Sequence, residues 1–111
     1  MNDTATVQEA IRRVKAGELK RPTSCVHMDM IQEVEPRTVG CEDCLQMGSS
    51  WVHLRVCLTC GYVGCCNSSK NKHASRHANE TGHYVVMSME SGEDWMWCYK
   101  DEDFIIPRRR S

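Results

Sequence analysis

The first twenty residues carry a hydrophobic pattern that predicts an amphipathic helix. Apolar side chains recur at intervals of four and three residues, which places them on one helical face: Val7, Ile11 and Val14. Thr6 and Glu9 form a capping box at the predicted start, and Gly17 ends the pattern. Three apolar side chains make a narrow stripe. Two interpretations therefore stay open: the helix packs on the rest of the chain, or it binds a partner.

Farther along the chain, the pattern changes to short stretches in which apolar and polar residues alternate, as is typical of strands. Three stretches show it, at residues 51–58, 83–89 and 94–100. Between the first two, a helix is predicted to begin at Ser68 or Ser69 and to end near Glu80, before Gly82. These elements predict an α+β fold with a short antiparallel sheet.

The pattern also divides the chain into segments. The helical segment covers residues 1–20, a linker covers 21–24, and the main domain covers 25–106. Residues 107–111 form a basic tail that we expect to be disordered and solvated.

Composition changes this picture, because the chain has too few apolar residues for an ordinary hydrophobic core. Val, Ile, Leu and Phe together make up 19 of the 111 residues, below the roughly 20% that marks a chain short of core-forming residues. Eight cysteines and five histidines accompany this shortage. Small domains with little core are usually held by covalent or metal cross-links.

The cysteines are expected to bind metal and not to form disulfides. The polar N-terminus has no secretory signal, and no stretch approaches the roughly 20 apolar residues of a membrane span. We therefore expect a cytoplasmic protein with reduced thiols and no membrane partner. Disulfides also give no role to the histidines. The formal net charge is −1, which disfavours nucleic acid as a partner.

Eleven cysteines and histidines recur at spacings that suit zinc. Two residues between cysteines let a tight turn aim both sulfurs at one ion about 2.3 Å away, and histidines four residues apart share one helical face. A closed zinc site takes four ligands, so three sites need a twelfth ligand, which a carboxylate would supply. The eleven residues are Cys25, His27, Cys41, Cys44, Cys57, Cys60, Cys65, His73, His77, His83 and Cys98.

One alternative pairing is that of a DNA-reading finger. Cys57, Cys60, His73 and His77 have the spacing of the two-Cys two-His motif. That motif also needs large apolar residues at two positions, and this chain has Gly64 and Lys70 there. The pairing would further leave four candidate ligands without an ion: Cys41, Cys44, Cys65 and His83. We therefore interpret the match in spacing as accidental.

An ordered series of motifs, from Cys25 to about Asp103, resembles the UBP-type zinc finger. The series is Cys-x-His, Cys-x2-Cys, Trp, Cys-x2-Cys-Gly-x-Val-Gly-Cys, His-x3-His, Gly-His and Trp-Cys-Tyr. The resemblance covers about three quarters of the chain. It implies that residues 25–106 form a small zinc-stabilised domain whose helix carries two histidine ligands.

The resemblance also implies how the ligands pair. The first set would be Cys41, Cys44, Cys65 and His73, and the second would be Cys57, Cys60, His77 and His83. A third set would be Cys25, His27, Cys98 and Asp101. Family members with three zincs have cysteine at the last position, but aspartate also binds zinc, at about 2.0–2.2 Å. Two zinc ions are thus expected in the first two sets, and a third in the set that includes Asp101. Each would be a closed site without an open position for catalysis.

Members of this family hold the free C-terminal Gly-Gly of ubiquitin between aromatic rings and an arginine. Trp51, Trp97 and Tyr99 match the aromatic walls. The arginine position holds Asn67, so Arg55 or Arg76 would have to replace the missing charge. We expect a non-catalytic module that binds a peptide or protein partner, with capture of a C-terminal tail left open.

Two alternatives to this function remain, a nucleic-acid-binding module and a purely structural zinc domain. In the structural case, Trp95, Trp97 and Tyr99 are simply core residues. Outside the ligand sets, Cys66 is predicted to be a small buried or half-exposed thiol, and His53 a surface histidine.

Overall fold

The computed structural model describes residues 3–108 and consists of three helices, a short 3-10 turn and five strands. The helices are α1 (Thr4–Lys15), α2 (Glu42–Met47) and α3 (His73–Thr81), and the 3-10 turn is Met28–Met30. The strands are β1 (Leu54–Cys57), β2 (Val63–Cys65), β3 (Val85–Ser88), β4 (Met96–Cys98) and β5 (Asp103–Ile105). They form one antiparallel sheet in the order β2-β1-β3-β4-β5. The predicted α+β fold is confirmed.

One face of this sheet forms the hydrophobic core. A row of residues that are 0% exposed crosses all five strands: Val63, Val56, Met87, Met96 and Ile105. Buried side chains of α1 belong to the same cluster, namely Val7, Ala10, Ile11 and Val14. The apolar stripe of α1 therefore packs into the core of this molecule. Methionines supply part of the volume that the other apolar residues lack, because their flexible side chains fill irregular space.

The start of α1 differs from the sequence prediction. Its N-cap is Asp3, whose carboxylate accepts a hydrogen bond of 2.8 Å from the Thr6 backbone N–H. The predicted capping box at Thr6 and Glu9 is wrong. Glu9 instead pairs with Arg12 and Arg13, at 3.1 and 2.9 Å, as residues three and four positions apart on a helix can.

The predicted strands contain β1, β3 and β4, but each strand is shorter than the alternating pattern. The sequence reasoning did not identify α2, β2 or β5. It also placed the start of α3 too early, because Lys72 adopts a left-handed conformation with a φ of 49° just before the helix. The hydroxyl of Ser69 instead accepts a hydrogen bond from Val52 N–H at 2.8 Å. The predicted stop at Gly82 is confirmed, with a φ of 76°.

The segments outside the main domain are tied to its last strand. The N–H of Lys20 donates to Ile106 O at 2.8 Å, and Leu19 forms a β-bridge with Pro107. Residues 107 and 108 of the predicted tail are thus bonded to the N-terminal segment, and residues 109–111 lie outside the described residues. Within residues 3–108, each helix is too short or too polar to cross a bilayer.

Helix α3 covers β1 and β2 on the face opposite to the core, and Gly64 permits the close approach. A Cβ at Gly64 would lie 2.7 Å from Ala74 N and 2.8 Å from Ala74 Cα. Both atoms belong to the helix backbone, which cannot move aside as a flexible side chain can. The small residue that argued against a DNA-reading finger therefore has a positive role, since it brings α3 onto the sheet.

We predict that Gly64→Ala lowers the free energy of unfolding of the zinc-loaded protein by roughly 1–3 kcal/mol, because the added methyl group forces α3 away from β2. Denaturant unfolding followed by circular dichroism measures this change. The control is Gly48→Asn at the end of α2, where a Cβ would meet nothing within 4 Å and asparagine tolerates the left-handed backbone. Equal losses in the two variants would contradict the role of the close approach.

Candidate metal centres

The first ligand set lies between α2, β2 and α3. Cys41 precedes α2, Cys44 lies within it, Cys65 ends β2 and His73 begins α3. The Nδ1 of His73 lies 3.2, 3.3 and 3.6 Å from the sulfurs of Cys41, Cys44 and Cys65. A tetrahedral zinc ion with ordinary bond lengths spaces its donor atoms about 3.5 Å apart. The four buried residues therefore fit one ion without rearrangement.

Polar contacts around the first set favour thiolates. The His73 backbone N–H donates to the Cys65 sulfur at 3.2 Å, and the Asn71 amide donates to the Cys44 sulfur at 3.6 Å. Burial raises the pKa of Cys41 to about 12, so this thiol stays protonated at neutral pH until a metal ion displaces the proton. The site therefore needs a bound cation before its thiols lose their protons.

The second ligand set joins the β1–β2 turn to α3 and to the segment after it. Cys57 ends β1, Cys60 lies in the turn, and the Cys60 sulfur is 3.4 Å from His77 Nε2. The Nδ1 of His83 is buried and has no hydrogen-bond partner among the described residues. Such an orphaned nitrogen is costly unless a metal ion uses its lone pair.

Burial also sets the protonation of the second set. It raises the pKa of Cys57 to about 11 and lowers the pKa of His77 below its ordinary value. A neutral imidazole is the form that binds metal, so the His77 shift favours coordination.

The third ligand set includes the carboxylate that the sequence suggested as a twelfth ligand. His27 Nδ1 lies 2.7 Å from Asp101 Oδ2, and the Cys98 sulfur lies 3.6 and 3.5 Å from these two atoms. Asp101 also accepts a hydrogen bond of 2.8 Å from Val26 N–H, which holds the pKa of its carboxyl below the usual value. Burial raises the pKa of Cys25, the fourth member, to about 12.

Within each of the three sets, the donor atoms all lie within 4.8 Å of one another. The grouping is the one that the family resemblance implied, including the interleaved use of α3. His73 joins the first set and His77 the second, so the alternative pairing of a DNA-reading finger is wrong.

More than half of the chain matches a known protein family. Residues 41–110 match the family described as the zinc finger in ubiquitin hydrolases and other proteins. The chain belongs to this family. With the Cys and His clusters, membership makes this chain a UBP-type zinc finger that binds zinc.

Similar proteins include both enzymes and a small bacterial protein. The chain is 30% identical over 86 residues to ubiquitin carboxyl-terminal hydrolase nonstop of Drosophila melanogaster, covering 78% of this chain and 15% of that protein. It is 36% identical over 53 residues to ubiquitin carboxyl-terminal hydrolase 16 of Rattus norvegicus, covering 45% of this chain and 6% of that protein. The chain thus spans only a small part of the curated relatives it matches.

A solved structure with a similar fold is the solution NMR structure of protein RPA1320 from Rhodopseudomonas palustris. It is 47% identical to this chain with a TM-score of 0.71, and the match covers 78% of this chain and 85% of that one. Most of the bacterial protein is therefore matched, in contrast to the enzymes.

The residues proposed as aromatic walls lie in two places. The ring of Trp51 packs over Gly40, where a Cβ would come within 2.7 Å of Trp51 Cη2. Trp97 and Tyr99 lie on the sheet face opposite to the core, at and just beyond β4. The Trp97 ring contacts Phe104 of β5 edge-on, with centroids 4.8 Å apart. Burial raises the pKa of Tyr99 to about 12.

The Arg21 guanidinium lies 6.0 Å from the Phe104 ring centroid, and a second arginine, Arg55, lies nearer to these rings. Its guanidinium lies 4.6 Å from the centroid of the Trp95 ring, whereas Arg76 pairs with Glu80 on the exposed side of α3. Sequence reasoning did not include Trp95 or Phe104 among the candidate ligand-binding residues. Trp95 alternates with Trp97 and Tyr99, which was an available signal, but Phe104 needed the undetected strand β5.

Two chemically active residues lie outside the three sets. Cys66 is buried, as predicted, with its sulfur 3.5 Å from the Ser69 hydroxyl. Burial is the largest single influence and raises its pKa, but hydrogen bonds from Ser69 and the nearby backbone, together with the charge of Arg55, outweigh burial and lower the pKa. His53 is the predicted surface histidine, 3.9 Å from Glu90.

We predict that a strong chelator removes the cooperative unfolding transition of this protein, because the metal holds α2, α3 and the β1–β2 turn together. Thermal unfolding by circular dichroism measures the transition, and a thiol reagent counts the cysteines that become accessible. Returning zinc should restore both signals. A chelated protein that has reactive thiols but still unfolds cooperatively would contradict the prediction.

Proposed function

We propose that this zinc finger is a non-catalytic recognition module that binds a protein partner by the partner's free C-terminal tail. The binding surface would be an aromatic face formed by Trp95, Trp97, Tyr99 and Phe104, together with Arg55. The observation that carries the proposal is the position of Arg55 against Trp95.

Arg55 supplies the positive charge that a terminal carboxylate requires. One of its N–H groups donates to Leu54 O at 2.9 Å, and a guanidinium carries five such donors in a planar fork that matches a carboxylate. Stacking on Trp95 restricts the side chain before any ligand arrives, which reduces the entropy lost on binding. Arg55 would thus replace the arginine that the family has at the position of Asn67.

The rings of the aromatic face contact one another and are partly open to water. Phe104 contacts both tryptophans edge-on, with centroid distances of 5.6 Å to Trp95 and 4.8 Å to Trp97, and its side chain is 37% exposed. Aromatic side chains partly open to water are enriched in recognition surfaces. Several similar proteins are named ubiquitin carboxyl-terminal hydrolases, which supports a tail of the Gly-Gly type as the first ligand to test.

The proposed module does not catalyse a reaction. Each metal set offers four protein ligands, and a closed tetrahedral site has no position for a reacting water. Cys66 and His53 are joined by a backbone hydrogen bond of 2.9 Å, but the Cys66 thiol contacts Ser69 and the His53 imidazole faces Glu90, so they do not form a thiol–imidazole pair. A cytoplasmic location fits this proposal, because a reducing compartment keeps thiols available to zinc.

We predict that the protein binds a peptide ending in Gly-Gly and that its C-terminally amidated twin binds roughly 10- to 100-fold more weakly, because the carboxylate then loses its charge-assisted bonds. Titration of the isotope-labelled protein, followed at the indole N–H signals of Trp51, Trp95 and Trp97, measures both affinities.

Arg55→Ala should reduce binding of the free-carboxylate peptide to the level of the amidated one. Arg76→Ala is the matched control and should leave the affinity unchanged. Arg76 does not belong to the aromatic face, and its guanidinium pairs with Glu80 at 2.9 Å. Equal binding of the two peptides to the native protein would overturn the proposed tail recognition. A salt-sensitive shift with single-stranded nucleic acid instead would favour the alternative function.

We further propose that the protein holds three zinc ions, with Asp101 as a ligand of the third. The Cys98 sulfur lies 3.6 and 3.5 Å from the His27 and Asp101 donor atoms, which is the spacing of a zinc site, and all four donor atoms lie within 4.8 Å of one another. Aspartate is an ordinary oxygen ligand for zinc.

We predict three zinc ions in the native protein and two in Asp101→Ala, because three ligands do not make a closed site. Native mass spectrometry with elemental analysis counts the ions. Asp103→Ala is the control. Its carboxylate accepts a hydrogen bond of 2.8 Å from Ser24 N–H, and Ser24 is not a metal ligand. Two ions in the native protein would show that the third set is a hydrogen-bonded cluster.

A further inference from the structure

Tyr62 contacts a ligand of the second metal set and a residue of α2, the helix that holds ligands of the first set. Its ring lies flat on the imidazole of His77, with centroids 4.2 Å apart and an interplanar angle of 6°. Its hydroxyl donates a hydrogen bond to the Asp43 carboxylate. Asp43 lies in α2, between Cys41 and Cys44 in sequence. One buried side chain therefore joins a ligand of the second set to the turn that carries two ligands of the first.

We propose that Tyr62 is a positioning residue that couples metal loading of the first and second sets. The hydrogen bond to Asp43 transmits the order of α2 to the Tyr62 ring, and the ring in turn holds the imidazole of His77 in its coordinating orientation.

The order of α2 depends on the metal of the first set. This helix has only six residues, and no side chain caps it at Cys41. A helix so short is not stable by itself. Coordination by Cys41 and Cys44 therefore supplies what its backbone lacks, and Asp43 is correctly placed for the Tyr62 hydroxyl when the first set is filled.

A second contact reaches Tyr62 from the same part of the chain. The guanidinium of Arg37 lies 5.9 Å from the Tyr62 ring centroid and pairs with Glu42, the first residue of α2, at 2.8 Å. The backbone N–H of Arg37 also donates to Gly61 O at 3.0 Å. Arg37 thus connects the turn that carries Tyr62 to Glu42 at the start of α2.

The effect on His77 follows from how metal ligands are oriented. Groups that contact a ligating histidine fix its ring, and losing them commonly costs 10- to 100-fold in metal affinity. Because Tyr62→Phe keeps the stacked ring and removes only the hydroxyl, it isolates the link to Asp43. The backbone of α3 joins the two sets as well, so the coupling should weaken without vanishing.

Equilibration of the ¹¹³Cd²⁺-loaded full chain against a competing chelator over a range of free Cd²⁺, followed by cadmium NMR, tests the coupling. The three sets differ in their number of sulfur, nitrogen and oxygen donors, so each gives its own signal. In the native protein, the signals of the first and second sets should grow together. In Tyr62→Phe, half-occupancy of the second set should need roughly three- to tenfold more free Cd²⁺, because one hydrogen bond is lost.

Two further variants make the test specific. Asp43→Ala should give the same delay, and the double variant should add nothing to it, because all three lack one shared hydrogen bond. Tyr84→Phe is the matched control, since the Tyr84 ring contacts His27 of the third set, with centroids 5.3 Å apart. An unchanged titration of Tyr62→Phe, an additive double variant, or an equal delay in the third set would each overturn the proposal.

Discussion

Metal coordination by one short helix is the constraint on which the rest of this structure depends. His73 and His77 are four residues apart on α3 and share one helical face, yet they bind in different sets. The structure uses different atoms for them: Nδ1 of His73, close to the backbone, and Nε2 of His77, at the far edge of the ring. The difference in reach lets one helical face serve two ions. A helix tied to two ions fixes α2 and the β1–β2 turn relative to each other.

Two kinds of interior then divide the sheet between them. The core face is an ordinary apolar layer in which α1 and the strands bury valines, isoleucines and methionines. The opposite face is covered by α3 only over β1 and β2. There the absence of a side chain at Gly64 lets the helix backbone approach the sheet closely. An apolar layer is non-directional, whereas coordination specifies four donor atoms. The metal sets therefore determine the position of the covering helix, and the core accommodates it.

The ligand residues could be predicted from the sequence because coordination leaves fixed spacings of rare residue types, whereas their division into three sets came from the family resemblance. The order of Cys and His motifs contained the information, and the structure groups the same twelve residues. The fold class followed from alternation in β1, β3 and β4. Strands β2 and β5 have only three residues each, too few for a periodic signal. The start of α3 depends on the backbone of Lys72, which no residue preference indicates, since lysine rarely adopts a positive φ.

The aromatic face was harder to predict for a related reason. Its members come from β1, β4 and β5, and only the register between strands brings Phe104 beside Trp97. Arg55 is likewise placed by its pairing opposite Ser88 on β3, which aims it at the end of β4 where Trp95 lies. Because α3 reaches only the other half of this sheet face, the rings over β4 and β5 are left without a covering element among the described residues. The metal sites therefore contribute indirectly to the recognition proposed above: by confining α3 to one half of the sheet, they leave the rings of the other half without a covering helix.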